Sequence, residues 1–267
     1  MEISRFTSED LHKIGPLKPE GWPDIIPDFE FYVLSPFCFP IKVCLDGELV
    51  GIGTSILFEN SAWLAHIIVA SHSRNKGIGS AIVKELITQI NAKSIKSILL
   101  IATDLGKPIY LKAGFMEVME YRFLKRDVPN IVPRENVHVV NFDERFRQDL
   151  YQLDRDISGE GREALIGDYL QDAKIYVKEN VVYGFYLPSL KEGLIYANLE
   201  EAGLALMAYK YATMDKAVIP AQNLAGLTLL QELGFVAVEK TGRRMLLGDD
   251  IDWNASNVYA RIGGNFG

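Results

Sequence analysis

Cysteine is nearly absent from the 267 residues: Cys38 and Cys44 could close one bridge at most, so no disulfide framework holds this chain. Histidine is as sparse. His12, His66, His72 and His138 stand at no metal-ligand spacing, and no metal is expected. Long apolar runs are missing too. A stretch such as Ile98–Ala102 falls far short of the ~20 residues that span a bilayer, and the opening MEISRFTSED lacks the apolar core of a signal peptide. Reducing cytoplasm is therefore the expected compartment, with no membrane partner. Positive charge is also in deficit, 28 Lys and Arg against 35 Asp and Glu, a net of −7. Such a balance disfavours nucleic acid as a partner, yet it leaves room for a small anion in a local basic pocket.

What is present suffices for a packed core. Hydrophobic residues make up 48% and charged ones 24%, as in ordinary globular proteins, which excludes wholesale disorder. At about 150 residues per domain the length fits two domains or one large one. Strand-like segments occur at 41–46, 49–58, 63–70, 97–103, 115–124, 137–142, 175–177, 181–187, 217–220 and 235–240. Asp46-Gly47 marks a hairpin between the first two. Helical periodicity is clearest where Ile78, Ile82, Leu86 and Ile90 share one face, and again over 223–233. The expected class is α/β, built on a mixed sheet. Two prolines near mid-chain suggest a linker at 128–136, between a first domain of 1–127 and a second of 137–267.

Each half contains a similar string. Thr103, then ten residues, then Gly114-Phe115 is matched by Asn223, ten residues and Gly234-Phe235. Both follow an apolar strand and enclose a helical segment, which points to duplication.

The most informative stretch is WLAHIIVASHSRNKGIGSAIVKELITQI, from Trp63 to Ile90. A strand runs into Arg74-Asn75-Lys76-Gly77-Ile78-Gly79, and an amphipathic helix begins inside that turn. Two glycines let a ligand approach the backbone, the helix start favours an anion, Arg74 and Lys76 add charge, and Ser80 offers a hydroxyl. A plain strand-to-helix turn is the simpler alternative, but the paired cations favour a phosphate site. Neither the Walker loop nor the dinucleotide fingerprint fits, since the latter needs glycine where Ile82 stands.

Arg74-x-x-Gly77-x-Gly79 resembles the Arg/Gln-x-x-Gly-x-Gly/Ala motif of the GNAT superfamily, the acyl-CoA-dependent N-acyltransferases. Thr103-x2-Gly106-x3-Tyr110-x-Lys112-x-Gly114-Phe115 resembles the family's second motif, with Thr103 where asparagine is usual. The resemblance covers roughly residues 1–127. It implies a splayed mixed sheet with acetyl-CoA, the expected co-substrate, wedged between the fourth and fifth strands. Ile67, Ile68 and Val69 would then offer backbone groups to the pantetheine. Arg74, Asn75, Lys76, Gly77, Ile78, Gly79 and Ser80 would hold the diphosphate, Thr103 would make one hydrogen bond to the pantetheine, and Tyr110 would protonate the departing sulfur.

The general base is less legible. Family members often carry a carboxylate or histidine where Ala65 and Trp63 stand. His66 is one residue off, and strand alternation would turn it to the opposite face. His72 reads as a solvated turn residue. Dense aromatics in 22–39 read equally as an acceptor wall or as ordinary packing.

In the second half, Leu230 takes the place of Tyr110, and Leu199-Glu200-Glu201-Ala202-Gly203-Leu204 puts carboxylates where the cations were. A diphosphate would be repelled there, so this half is expected to be a degenerate GNAT-like lobe that binds no CoA and walls in the acceptor. The tail 259–267 reads as a loose terminus or as a segment reaching back over a sheet edge. The clusters Asp154-Arg155-Asp156 and Arg243-Arg244 read as solvated faces. The expected activity is direct N-acetyl transfer to a small-molecule or amino-acid-like amine. A non-catalytic acyl-CoA sensor and a protein-amine acetyltransferase are the alternatives, and a homodimer is left open.

Overall fold

The computed structural model describes residues 1–127, 136–240 and 242–267, so the expected linker, apart from Asn136, lies outside the described residues. The chain forms two compact units. One comprises Met1–Met116, Met245–Asp249 and Phe266, and the other Glu117–Arg244, Asp250–Asn265 and Gly267.

The first unit runs β1 (Glu2–Arg5), α1 (Ile26–Leu34), β2 (Cys38–Leu45), β3 (Glu48–Leu57), β4 (Ser61–Val69), α2 (Ile78–Asn91), β5 (Ser97–Ala102) and α3 (Lys107–Lys112). β1 to β4 pair antiparallel in sequence order, and Asp46-Gly47 turns the β2–β3 hairpin as expected, both at positive φ. β4 and β5 are parallel, and their pairing spans only Ser61↔Ser97 to Trp63↔Leu99. β5 is flanked on its other side by residues 245–249, with Asp249 N–H donating to Lys96 O at 3.1 Å and Ser97 Oγ to Asp249 O at 2.8 Å. Ile78, Ile82, Leu86 and Ile90 of α2 are all buried. Burying each such side chain contributes roughly 1.5–3 kcal/mol, which is why the periodicity at 78–90 was so readable.

The remaining elements are β6 (Met116–Lys125), β7 (Val139–Asn141), α4 (Arg147–Ser158), α5 (Glu163–Ile166), β8 (Lys174–Lys178), β9 (Val181–Leu187), β10 (Leu194–Ala197), α6 (Glu200–Lys210), β11 (Lys216–Pro220), α7 (Leu224–Glu232), β12 (Val236–Ala237), β13 (Gly242–Gly248) and β14 (Val258–Ala260), all in the second unit except Met116 and residues 245–248 of β13. β6 pairs antiparallel with β11 and β12, and β7 to β10 form a second meander. The order β8-β9-β10-α6-β11-α7-β12 repeats β2-β3-β4-α2-β5-α3-β6. Matching hydrogen bonds fix the register between the copies: Phe115 N–H donates to Tyr110 O at 3.0 Å, and Phe235 N–H to Leu230 O at 2.9 Å. Leu230 is therefore the counterpart of Tyr110, as the spacing indicated.

Two readings need correction. The tail is no loose terminus: β14 pairs with β10, Ile262 and Phe266 are fully buried, and Arg261 makes a bidentate pair with Glu192 at 2.8 and 2.9 Å. Its glycines are outweighed by apolar side chains that find a core. The charge clusters are not simply solvated either. Asp154 is buried against Arg162, at 2.5 and 3.2 Å, and Arg244 is buried beneath the Trp253 ring, 4.0 Å from its centroid. A buried charge is tolerated only where such partners replace water.

Lys210 is the second unit's most consequential buried charge. Its Nζ donates to the carbonyls of Glu192 and Gly193 at 2.6 and 2.7 Å, and burial lowers its pKa to about 7. Between that value and the ordinary 10.5 the unfolded chain binds the extra proton, so stability rises with pH across this window. Urea denaturation at pH 6.5 and pH 9 should show a rise in stability that is smaller in Lys210→Met. Equal rises in the two proteins would contradict this assignment.

Candidate functional site

After Trp63 and Leu99 the two parallel strands part, and β4 runs on for six residues to Val69 without pairing to β5. Strand backbone must find hydrogen-bond partners somewhere, and a parted pair offers a row of them to a ligand. Ile67, Ile68 and Val69 lie on this stretch. Val69 O accepts from Arg74 Nε at 3.2 Å, which holds the guanidinium at the mouth of the gap.

Eight residues, 70–77, connect β4 to α2. Asn75 and Gly77 adopt left-handed φ of 61° and 80°, folding the loop back so that α2 begins without any side-chain cap. Orphan N–H groups of the first turn, at Ile78, Gly79 and Ser80, therefore need an outside acceptor, and an anion is favoured there. Arg74, Asn75, Lys76, Gly77 and Ser80 are exposed around this turn. These residues, expected from the sequence to hold a diphosphate, thus lie together at the end of the parted strand. His72 is exposed, its Nε2 3.3 Å from Glu48 Oε1, as its reading as a solvated residue implies.

Thr103 and Tyr110 bracket the start of α3. Gly106 N–H reaches Thr103 Oγ1 at a long 3.4 Å. Tyr110 is half-buried, edge-on to Phe115 with centroids 6.0 Å apart. Desolvation raises its phenol above the usual 10.0, so the hydroxyl keeps its proton and can donate it. Cys38 sits on β2, where burial raises its thiol to about 12; it is no ready nucleophile.

His66 departs from expectation. β4 bulges: Thr54 faces Ala65 and Ile52 faces Ile68, so His66 and Ile67 together oppose the single residue Gly53. His66 takes φ 49°, and simple alternation ends there. Its Nδ1 is 2.8 Å from Tyr32 Oη and its Nε2 is 3.7 Å from Asp28 Oδ2. The rings of Trp22, Phe29 and Tyr32 surround it at 5.6 to 6.0 Å. A non-glycine residue held at such a φ costs about 1–3 kcal/mol and tends to mark function. Asp28 and Tyr32 escaped the sequence reading because α1 carries Pro27 in its first turn and no helical stripe. Only the aromatic density of 22–39 hinted at them.

In the second unit the equivalent features are closed. Only two residues, 198 and 199, connect β10 to α6, and Glu200 and Glu201 occupy the first helical turn. β14 lies along β10, pairing Ile195↔Ala260 and Tyr196↔Val258. Gly203 faces the Tyr259 ring so closely that any Cβ would overlap it. Asn223, the counterpart of Thr103, donates from Nδ2 to Val258 O at 3.0 Å. Among the described residues no group of three or more His, Cys, Asp or Glu could hold a metal, and no helix is long and apolar enough to cross a membrane.

Residues 41–131 match the profile of the acetyltransferase (GNAT) domain. No curated protein matches the sequence. Among solved structures, a putative acetyltransferase from Pyrococcus horikoshii is similar with a TM-score of 0.83 at 20% identity, over 100% of this chain and 95% of that one. A tandem GNAT protein from the clavulanic acid biosynthesis pathway gives 0.63 at 11% identity, over 92% and 98%. A GCN5-related N-acetyltransferase from Anabaena variabilis gives 0.55 at 12% identity, over 92% and 72%. At these identities the likenesses speak to the fold, which is that of tandem GNAT proteins.

Since a Cβ on Gly77 would meet nothing within 4 Å, alanine there is strained by its φ alone. Gly77→Ala should destabilise the protein by about 1–2 kcal/mol, and Gly77→Asn by less, in urea denaturation. Equal stability of wild type and Gly77→Ala would refute the left-handed turn.

Proposed function

We propose that this chain, whose residues 41–131 match the acetyltransferase (GNAT) domain and whose fold is that of tandem GNAT proteins, is a GNAT enzyme that transfers an acetyl group from acetyl-CoA directly to the amine of a small-molecule or amino-acid-like acceptor. One observation carries this reading: a parted β4 whose unpaired backbone leads into a cation-flanked loop and an uncapped helix start. Pantetheine is an extended diamide and suits a strand edge. A diphosphate suits the first turn of α2, with Arg74 and Lys76 beside it. Acetyl-CoA supplies the activated acyl group as co-substrate. Backbone N–H groups past the β4 bulge polarise its carbonyl. The Tyr110 hydroxyl, kept protonated by burial, gives its proton to the leaving sulfur. Direct transfer is favoured because the buried Cys38 thiol, raised to about 12, cannot relay the acyl group.

The second lobe contributes no cofactor site on this reading. Its shortened β10–α6 connection, its first-turn carboxylates and β14 all oppose a second CoA. Calorimetric titration of acetyl-CoA should give one site per chain, and two sites would overturn this reading of the second lobe. Reversing one charge near the diphosphate changes the interaction by about 2 kcal/mol at 4 Å, twice the value of a single unit pair, even in water-like surroundings. Arg74→Glu should accordingly weaken binding at least tenfold, and an unchanged isotherm would overturn the phosphate cradle.

A non-catalytic acyl-CoA sensor is the second reading, supported by Ala65 and Trp63 at positions where the sequence resemblance called for a base. Replacing the acid separates the two. Tyr110→Phe should lower kcat about 100-fold and leave acetyl-CoA affinity within twofold if the protein is an enzyme, whereas a sensor would show no turnover for the substitution to lower.

A further inference from the structure

We propose that a cleft beside β1, at the outer edge of the sheet, binds a free amino acid with an apolar side chain. Arg5 takes the carboxylate of this ligand, and Glu85 and Gln89 take its ammonium. The site does not depend on the acyl-transfer reading. It lies at β1 and β2, with β3 between it and the parted β4–β5 pair.

Strand register shows which side chains share the cleft. Gly51 and Gly53 of β3 face α2, where an added Cβ would meet Ile82 at 3.0 and 2.7 Å. Val43 and Ile41 of β2 stand opposite these glycines, and Ile3 and Arg5 of β1 stand opposite Val43 and Ile41. Directly paired residues point to one side of a sheet, as do residues two apart on a strand. Ile3, Arg5, Phe39 and Ile41 therefore project on the side that α2 occupies. The helix rests on the glycines of β3, and its half-buried Glu85 and Gln89 border the edge. Between them and β1 is a cleft of about 220 Å³. Pockets for drug-sized ligands hold ~300–1,000 Å³, so the occupant here is smaller.

Charge decides the occupant's chemistry. Arg5 and Glu85 line this one cleft with opposite signs, yet neither has an ion-pair partner among the described residues. Glu85 Oε1 accepts from Gln89 Nε2 at 2.9 Å, one turn further on. That bond leaves the other carboxylate oxygen and the Gln89 carbonyl as acceptors for an ammonium, which has three donors to give. The exposed guanidinium of Arg5 can grip a carboxylate through two parallel N–H groups. An anion alone would face the Glu85 carboxylate, and a cation alone would face Arg5. A zwitterion satisfies both at once. Phe39, 38% exposed, lies with Ile3 and Ile41 along the same cleft. An apolar side chain laid on them removes that surface from water, which a charged one would not.

Leucine is the probe, titrated through the millimolar range into the ¹⁵N-labelled protein without acetyl-CoA. The amide resonances of Ile3, Arg5, Phe39, Ile41, Glu85 and Gln89 should shift together. N-acetylleucine lacks the ammonium and leucinamide lacks the carboxylate. Each should bind about fivefold more weakly than leucine, the loss expected for one solvated charge contact. Arg5→Gln should abolish the advantage of leucine over leucinamide, and Glu85→Gln its advantage over N-acetylleucine. Either analogue binding wild type as tightly as leucine would overturn the proposal. So would a spectrum that leucine leaves unchanged. Shifts confined to 67–80 and 103–110 would also overturn it, by placing the amino acid at the parted strands. Failure of acetyl-CoA to bind, with the leucine shifts intact, would instead refute the acyl-transfer reading and uphold this site.

Discussion

Two parallel strands that separate leave backbone donors and acceptors without partners, and everything else in this molecule answers to that deficit. Hydrogen-bonding groups of a sheet interior are costly to leave unmet. In the first unit β4 leaves β5 after Trp63 and runs six residues further. The loop and the start of α2 follow directly at the end of the parted strand. In the second unit the strand equivalent to β4 is β10, and β14 supplies its partner. One topology thus has two resolutions of the same constraint, a parted pair at β4 and β5 and a strand, β10, paired by the protein's own chain.

The duplicated units make the contrast unusually direct, because equivalent residues can be read against each other. Thr103 and Asn223 both sit before a helix and accept from an N–H three residues on, Gly106 just ahead of α3 at 3.4 Å and Gly226 in the first turn of α7 at 2.8 Å. Asn223 accepts there through Oδ1 and, unlike Thr103, also has an amide Nδ2, which donates to Val258 O of the filling strand. Its amide therefore bonds a peptide carbonyl in the position where the first unit would offer a side chain to a pantetheine amide. Tyr110 and Leu230 share a backbone environment, yet only the first carries a proton to give. The loop of eight residues between β4 and α2 has shrunk to two between β10 and α6, and carboxylates have replaced the cations. Loop length, charge and acid have all been lost together in the unit whose gap is filled.

Much of this was visible in the sequence wherever local chemistry decides structure. Gly77 and the cations of its loop, the stripe from Ile78 to Ile90 and the Gly-Phe pairs at 114 and 234 are governed by near neighbours, and each took its expected place. What stayed hidden depends on residues distant in sequence. β14 is three residues long and exists because β10 needs a partner. Phe266 is buried against Phe31 and Tyr32, with centroids 5.9 and 6.5 Å away, although its glycine-rich surroundings suggest a loose end. Asp154 looked like a surface charge until Arg162, eight residues on, came into view. The β4 bulge is of the same kind. One extra residue opposite Gly53 reverses the facing of His66, and no pattern of period two can announce it.

On the proposed function, the location of charge is what would let an acidic chain hold an anionic ligand and release it. Net charge is −7, and the far field of the protein repels a diphosphate. Screening confines that repulsion to about 10 Å at 0.1 M salt, whereas Arg74, Lys76 and the first turn of α2 would act at contact distance. The two cations are exposed, so each is worth ~1 kcal/mol at 4 Å in water-like surroundings. Directed N–H groups at the helix start must then supply most of the grip, and these are insensitive to salt compared with surface charge. Such a division suits turnover. On the proposed function the fixed backbone would define where the diphosphate sits, and the solvated cations would speed its arrival against a repulsive surface without holding the spent cofactor so tightly that release becomes limiting.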